Sequence, residues 1–203
     1  MKNSYLSTFL ELSRYLHKWL FCLDTTLKNC VFTEKMNLLI SDLKCILYLS
    51  MTFGFAFVEG KSLKTTIGGK GGKKYEIDSD IDEFRDLCDD LRKNKEKSII
   101  ILKGTFEFEK AEKSGDAVFK IPSNCTIYGE GCTIIGGFEI KDQENVIIQN
   151  INFEFIDRDR FHEEFDCMVV YRSHHVWIDH CNFIKCPDGL LDIKREASFV
   201  TIS

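Results

Sequence analysis

The chain has 203 residues, enough for one domain with a sizeable core or for one domain and an appendage. Its formal net charge of -5 argues against a nucleic-acid-binding protein, because such proteins normally present a basic surface. The same charge disfavours binding of an acidic polymer by overall attraction. A polyanionic ligand would therefore need a local cation or a local basic patch.

An uncharged apolar run occupies 45–58. It is short for a membrane-spanning helix but typical of the core of a signal peptide. We therefore expect a signal peptide over 36–60 that starts at Met36 and is cleaved after Gly60, which makes the protein secreted. The alternative is a signal anchor that holds the protein on a membrane through the 45–58 segment. Residues 1–35 are then either a gene-model extension or an amphipathic helix.

Nine cysteines are present, and six of them follow residue 60. An even number in the mature part suits disulfide bonding in an oxidising compartment. Cysteine is also a common small residue of hydrophobic cores, so both interpretations stay open. The pairing cannot be deduced from the sequence.

The segment from Asp78 to Arg92 predicts a short amphipathic helix. Its apolar residues recur at helical spacing behind an acidic N-terminal cap. After this segment, helical patterns give way to short runs of β-branched residues separated by Gly, Asn, Asp and Lys.

The short apolar runs recur along the rest of the chain. A first series lies at 99–102, 125–127, 146–148, 176–178 and 200–202. Counted from Ile100, its steps lead to Cys125, Val146, Val176 and Val200. A second series interleaves with it, at 133–135, 168–170 and 190–193. A period in the low twenties with two or more strands in each period is typical of a solenoid.

The sequence therefore predicts an all-β fold, a right-handed parallel β-helix whose N-terminal end is capped by the helix at 78–92. A β-sandwich is the main rival, but its turns come roughly every 8–12 residues without a longer period. The polar stretch at 157–164 should leave the stack as a loop. Three asparagines near strand ends are expected to form a stacked ladder: Asn150, Asn152 and Asn182.

The chain from about Gly68 to Ser203 resembles the N-terminal half of the pectate lyase family. The specific pieces are Val176-Trp-Ile-Asp-His-Cys181 and Asp188-Gly-Leu-Leu-Asp-Ile-Lys194, in this order and spacing. Weaker matches lie at 68–72, 126–131 and 146–153. The resemblance implies a right-handed parallel β-helix, bound calcium, and cleavage of polygalacturonate by β-elimination.

Three carboxylates, Asp166, Asp188 and Asp192, form the candidate metal site. The interval from Asp166 to Asp188 is close to one coil, so these two should stack about 4.8 Å apart. Asp192 follows shortly after Asp188, on the same face. Carboxylates this close resist ionisation unless a cation joins them, and oxygen ligands alone favour Ca2+ over zinc. The alternative is that these aspartates only hold turns.

The resemblance places calcium ligands at the same three positions, and Glu164 is a candidate for a fourth. It also implies an arginine base, assisted by a lysine and a second arginine, downstream of the strand that ends at Ser203. We therefore expect the domain at 61–203 to be truncated at its C-terminal end, and we assign no catalytic residue within it. Lys194 and Arg195 align with non-catalytic positions of the family motif.

Other conspicuous residues have simpler interpretations. The resemblance makes Trp-Ile-Asp-His a structural element, so His180 is interpreted as scaffold. His174, His175 and Cys181 do not predict a zinc site, because adjacent strand residues point to opposite faces. The glycines at 68–72 lack the Gly-Lys-Ser/Thr of a phosphate loop.

The sequence thus predicts a secreted, monomeric, calcium-dependent pectate lyase that acts on polygalacturonate and binds neither nucleic acid nor nucleotide. A pectin lyase, which acts on methylated polymer without calcium, is disfavoured by the three aspartates. A catalytically inactive carbohydrate-binding β-helix protein is a second alternative. A polygalacturonase would carry paired aspartates in a combined Asn-Thr-Asp and Asp-Asp pattern, and the sequence contains no Asn-Thr-Asp.

Overall fold

The computed structural model describes residues 54–109, 116–154 and 164–203. The predictions for residues 1–35, for most of the apolar run at 45–58 and for most of the loop at 157–164 lie outside these ranges. Within them, no helix is both long and apolar enough to cross a membrane.

One α-helix, one 3₁₀ turn and eleven strands make up the secondary structure of the described residues. In chain order they are the 3₁₀ turn Phe55–Phe57, β1 (Lys73–Asp78), α1 (Ile81–Asn94), β2 (Ser98–Glu107), β3 (Val118–Lys120), β4 (Cys125–Ile135), β5 (Gly137–Lys141), β6 (Glu144–Phe153), β7 (Met168–Tyr171), β8 (His174–Asp179), β9 (Asn182–Phe183), β10 (Asp192–Lys194) and β11 (Ser198–Ile202). The predicted acidic cap of the helix is present, since the Asp80 side chain accepts a hydrogen bond from the Glu83 N–H at 2.8 Å.

The strands form three parallel sheets that follow one another around each coil. The first sheet has the order β1-β2-β4-β6-β8-β11. Beyond a bend in each strand, the C-terminal halves of β2, β4 and β6 form the second sheet together with β9. The third sheet has the order β10-β7-β5-β3. This arrangement confirms the predicted parallel β-helix.

The register of the first sheet confirms three of the four predicted steps. The pairs are Cys125 with Val146, Val146 with Val176, and Val176 with Val200. The first predicted step is wrong, because Ile100 lies opposite Ile127 rather than opposite Cys125.

The predicted second series combines strands of two different sheets. Thr133 pairs with Asn152 in the second sheet. Val169 pairs with Asp192 in the third sheet. The run at 133–135 therefore does not belong with the other two runs of that series.

A residue in the left-handed region marks the corner between the first and second sheets in successive coils. These residues are Gly104, Gly131, Asn150 and His180, with φ of 72°, 70°, 58° and 50°. Such a residue turns the chain through the corner, and glycine and asparagine adopt it at the lowest cost. The corner thus fixes the backbone position of His180.

The predicted asparagine ladder is partly present. Asn182 donates a hydrogen bond from Nδ2 to Asn152 Oδ1 at 2.7 Å, and the two residues pair in register. Asn150 instead donates to the Gly129 carbonyl at 2.6 Å, at the corner of the preceding coil.

Phenylalanine rings in edge-to-face contact fill the interior of the coils. The centroid distances are 6.2 Å from Phe106 to Phe119, 5.9 Å from Phe119 to Phe138, and 5.1 Å from Phe138 to Phe153. Phe84 of α1 closes this column, with its ring centroid 4.4 Å from that of Phe119. The helix therefore caps the N-terminal end of the core, as the sequence predicts.

Residues 54–60 pack against the outer face of the first sheet. Ala56 is buried, and its N–H donates a hydrogen bond to Thr201 Oγ1 at 2.9 Å. The Phe57 ring contacts Trp177 edge-on at 5.6 Å between centroids. Cleavage at the end of this segment stays a prediction, and it would remove both contacts.

We expect Phe119→Ala to lower the free energy of unfolding by about 3–5 kcal/mol, because it empties the centre of the phenylalanine column. Urea denaturation followed by circular dichroism measures this change. Phe55→Ala is the control, since the Phe55 side chain is 72% exposed and its loss should cost less than about 0.5 kcal/mol. Equal losses in the two variants would contradict the assigned core.

A chain without residues 1–60 should be less stable than a chain without residues 1–53. The expected difference is at least about 2 kcal/mol, because the shorter chain loses the burial of Ala56, the Phe57–Trp177 contact and a hydrogen bond. Thermal and urea denaturation of the two chains measure it. Equal stability of the two chains would show that the segment contributes nothing to the stability of the domain.

Candidate functional site

Asp166 lies just before β7, an inner strand of the third sheet, and only 9% of it is exposed. The Gly189 N–H donates a hydrogen bond to its Oδ1 at 2.9 Å. The Lys194 ammonium lies 3.4 Å from its Oδ2. These partners offset part of the cost of removing the carboxylate from water.

Asp192 is the first residue of β10, which stacks on β7 in the next coil. Lys194 Nζ donates a hydrogen bond to Asp192 Oδ2 at 2.8 Å. The lysine therefore bridges the carboxylates of Asp166 and Asp192. The structure brings these two predicted ligands together.

Asp188 lies in the loop before β10. Its N–H donates to the Phe165 carbonyl at 3.1 Å, and the Cys167 N–H donates to the Gly189 carbonyl at 3.0 Å. These bonds place Asp188 one coil away from the segment that carries Asp166, beside Phe165. No three His, Cys, Asp or Glu side chains of the described ranges are grouped as a metal site would need. Binding by all three aspartates therefore stays a prediction.

Gly189 makes room for the Asp166 and Asp192 carboxylates. A Cβ atom at this position would lie 2.5 Å from Asp166 Oδ1 and 3.1 Å from Asp192 Oδ1. Because the first of these distances is too short for a non-bonded carbon and oxygen, any side chain here would displace Asp166. Oxygens of both aspartates thus face the same small space, and oxygens that converge in this way suit calcium, which binds such ligands at about 2.3–2.6 Å.

The two aspartates carry more negative charge than Lys194 neutralises. Burial raises the pKa of the Asp166 carboxyl, and the charge of Asp192 adds to this, while the Gly189 N–H and Lys194 oppose it. The hydrogen bond to Asp192 is the main cause that raises the pKa of Lys194. One ammonium against two carboxylates leaves a site that attracts a further cation.

Asp179 and His180 belong to the framework of the first sheet, at the C-terminal end of β8. The buried Asp179 carboxylate accepts hydrogen bonds from Gln149 Nε2 at 2.9 Å and from Ser203 Oγ at 2.8 Å. His180 Nδ1 lies 2.6 Å from Asp179 Oδ1. Because Gln149 and Ser203 lie in the coils on either side, these contacts tie three coils together and agree with His180 as scaffold.

Gly189 and Lys194 are site residues that the sequence reasoning did not assign. The pair Asp188-Gly189 is also a common turn signal, so nothing in the sequence distinguishes its role here. A signal for Lys194 was available, because a residue two positions after Asp192 in a strand lies on the same face.

Comparison with known proteins places the whole domain in one family. The model of the pectate lyase family matches residues 37–203. A pectate trisaccharide-lyase from Thermotoga maritima is 36% identical over 160 residues, which are 74% of this chain and 40% of that protein. A probable pectate lyase B from Aspergillus terreus is 37% identical over 99 residues, which are 44% of this chain and 29% of that protein. The chain thus spans less than half the length of these curated relatives.

Two solved structures share the fold. A pectate lyase from Bacillus sp. N165, in complex with trigalacturonate, has a TM-score of 0.57 at 24% identity, and the match covers 75% of this chain and 51% of that one. Jun a 1, the major allergen from cedar pollen, has a TM-score of 0.59 at 18% identity, and the match covers 79% of this chain and 50% of that one. With the strand topology and the match over residues 37–203, these findings show that the chain belongs to the pectate lyase family.

Proposed function

We propose that this protein is a calcium-dependent pectate lyase that cleaves polygalacturonate by β-elimination. The observation that carries the proposal is the convergence of the Asp166 and Asp192 oxygens beside Gly189, with one lysine between the two carboxylates. Membership of the family, and similarity to a relative named as a pectate trisaccharide-lyase, support the same reaction.

Asp166, Asp188 and Asp192 would hold the metal, with Glu164 as a candidate fourth ligand. When bound, calcium neutralises a uronate carboxylate of the substrate and makes the adjacent C5 proton more acidic. In the elimination, the C5–H and C4–O bonds break, a C4–C5 double bond forms, and the departing sugar gains a hydroxyl group. We assign no residue of this chain as the base.

Lys194 is expected to change partners when the metal and the substrate bind. Its ammonium contacts Asp166 at 3.4 Å and Asp192 at 2.8 Å, so a divalent cation bound by the same carboxylates would repel it. The lysine side chain is 44% exposed and is free to turn outward. A uronate carboxylate above the site would be its strongest new partner. Lys194 and calcium together would supply the local positive charge that a chain of net charge -5 needs to bind a polyanion.

The same proposal includes secretion and a monomeric state. The apolar run at 45–58 has the length of a signal-peptide core, and the even number of cysteines after residue 60 suits an oxidising compartment. Retention on a membrane through the 45–58 segment is the alternative. Cell fractionation separates these two outcomes, and light scattering of the purified protein tests the monomer.

Incubation of the full-length gene product with polygalacturonate and Ca2+ should release unsaturated products that absorb in the near ultraviolet. A chelator should abolish this release, because the carboxylates alone cannot bind the anionic substrate. Absorbance of the reaction mixture measures both. Cleavage without absorbance would indicate hydrolysis, and cleavage of methylated pectin that survives the chelator would indicate a pectin lyase.

Asp188→Ala and Gly189→Ala should each weaken calcium binding by about tenfold or more. The first removes a proposed ligand, and the second places a Cβ 2.5 Å from Asp166 Oδ1 and displaces that carboxylate. Isothermal titration calorimetry with CaCl2 measures the affinity.

Leu190→Ala is the control in the same loop, since Leu190 is exposed and should not affect the metal. An unchanged affinity in Asp188→Ala would remove Asp188 from the site. An unchanged affinity in Gly189→Ala would show that Asp166 and Asp192 do not bind the metal together.

A further inference from the structure

Six cysteines lie in the described part of the chain, and all are thiols in this structure. Two of them, Cys167 and Cys186, flank the candidate metal site. Cys167 directly follows Asp166, and Cys186 comes shortly before Asp188. Both are buried, with exposures of 0% and 8%.

Reciprocal contacts hold these two cysteines side by side. The Cys186 thiol donates a hydrogen bond to the carbonyl of Phe165, which lies just before Cys167, at 3.1 Å. The Cys167 thiol lies 3.5 Å from the Lys185 carbonyl, immediately before Cys186. Each sulfur thus lies against the backbone that leads into the other cysteine.

Main-chain hydrogen bonds fix the two segments next to each other. The Asp188 N–H donates to the Phe165 carbonyl at 3.1 Å, and the Cys167 N–H donates to the Gly189 carbonyl at 3.0 Å. These bonds bracket the two thiols and resist separation of the segments. The hydrogen bond with Cys186, together with burial, also raises the pKa of Cys167 well above its ordinary value.

We propose that Cys167 and Cys186 form a disulfide bond when the protein folds in an oxidising compartment. One cysteine thiolate attacks a sulfur of a small disulfide such as oxidised glutathione, which yields a mixed disulfide and one free thiol. The second cysteine thiolate then attacks the protein sulfur and releases the other thiol. The pair loses two protons and two electrons, and the small disulfide gains them. Because both sulfurs are buried in the folded domain, this exchange belongs to folding.

The bond would have a direct consequence for the metal site, a consequence that rests on the proposed function. It would join the segment that carries Asp166 to the segment that carries Asp188, which are adjacent but in different coils. Motion that separates the two carboxylates would then be restrained, so the protein would lose less conformational freedom when it binds calcium. We expect reduction of the bond to weaken calcium binding severalfold.

Peptide mapping without reduction tests the bond. Protein exported into an oxidising compartment is alkylated while denatured, digested with trypsin and examined by mass spectrometry. Trypsin cuts after Arg172 and Lys185, so Cys167 and Cys186 fall on separate peptides. We expect these peptides to be linked, with the link lost on reduction. Alkylation of both cysteines, or a link from either to another cysteine, would overturn the proposal.

Two substitutions and a calcium titration complete the test. Cys186→Ser keeps a hydrogen-bond donor to the Phe165 carbonyl and should leave Cys167 open to alkylation. Cys181→Ser is the control and should leave the link intact. If the link is present but calorimetry detects no calcium in either redox state, the calcium proposal fails and the disulfide stands. If the link is absent, the disulfide proposal fails whatever the calcium affinity.

Discussion

In this domain the main-chain hydrogen bonds between successive coils determine which residue lies above which. Each coil pairs with its neighbours in parallel, and the corner residues with positive φ return the chain to the same position in every turn. A slip by one residue would exchange interior and exterior side chains along a whole strand. The phenylalanine column and the packing of α1 over its N-terminal end therefore depend on the register. The proximity of aspartates from different coils depends on it as well.

The candidate metal site depends on that register through electrostatics. β10 stacks on β7, and the loop before β10 runs beside the residues before β7, so carboxylates from two coils meet, and one of them, Asp166, is buried. Such an arrangement destabilises the folded chain unless a cation compensates for it. Lys194 provides part of that compensation, and it holds the two carboxylates together in the absence of a bound metal. The carboxylates of Asp166 and Asp192 are thus held close together while their charges are only partly neutralised.

The fold could be predicted from the sequence because the spacing of the β-branched runs equals the number of residues in each coil. It was insufficient at the first step, where the consecutive apolar residues at 99–102 do not reveal which of them face inward. The confusion of the second and third sheets at 133–135 has the same origin, since strands of both sheets have similar composition. The spacing of apolar runs predicts the strand register only where apolar and polar residues also alternate recognisably within each run.

The candidate site was predictable to a smaller extent. Asp166 and Asp192 could be named from spacing and motif, and the structure brings them together. The roles of Gly189 and Lys194 depend on where a loop directs an N–H group and how a long side chain folds back. No periodicity encodes those directions. The contact between Cys167 and Cys186 was hidden for the same reason, because it joins two loops rather than two strands.

The unequal coil lengths have an implication for how this family diversifies. The step from Val146 to Val176 is longer than the preceding step from Cys125 to Val146, yet both end in the same register. Added residues between strands therefore do not propagate into the ladder, since the free-energy cost of a longer loop grows only slowly with its length. The extra residues enter the chain just before Asp166. Evolution can thus change the length and composition of the chain beside the candidate metal site while the stacked coils that position the carboxylates stay unaltered.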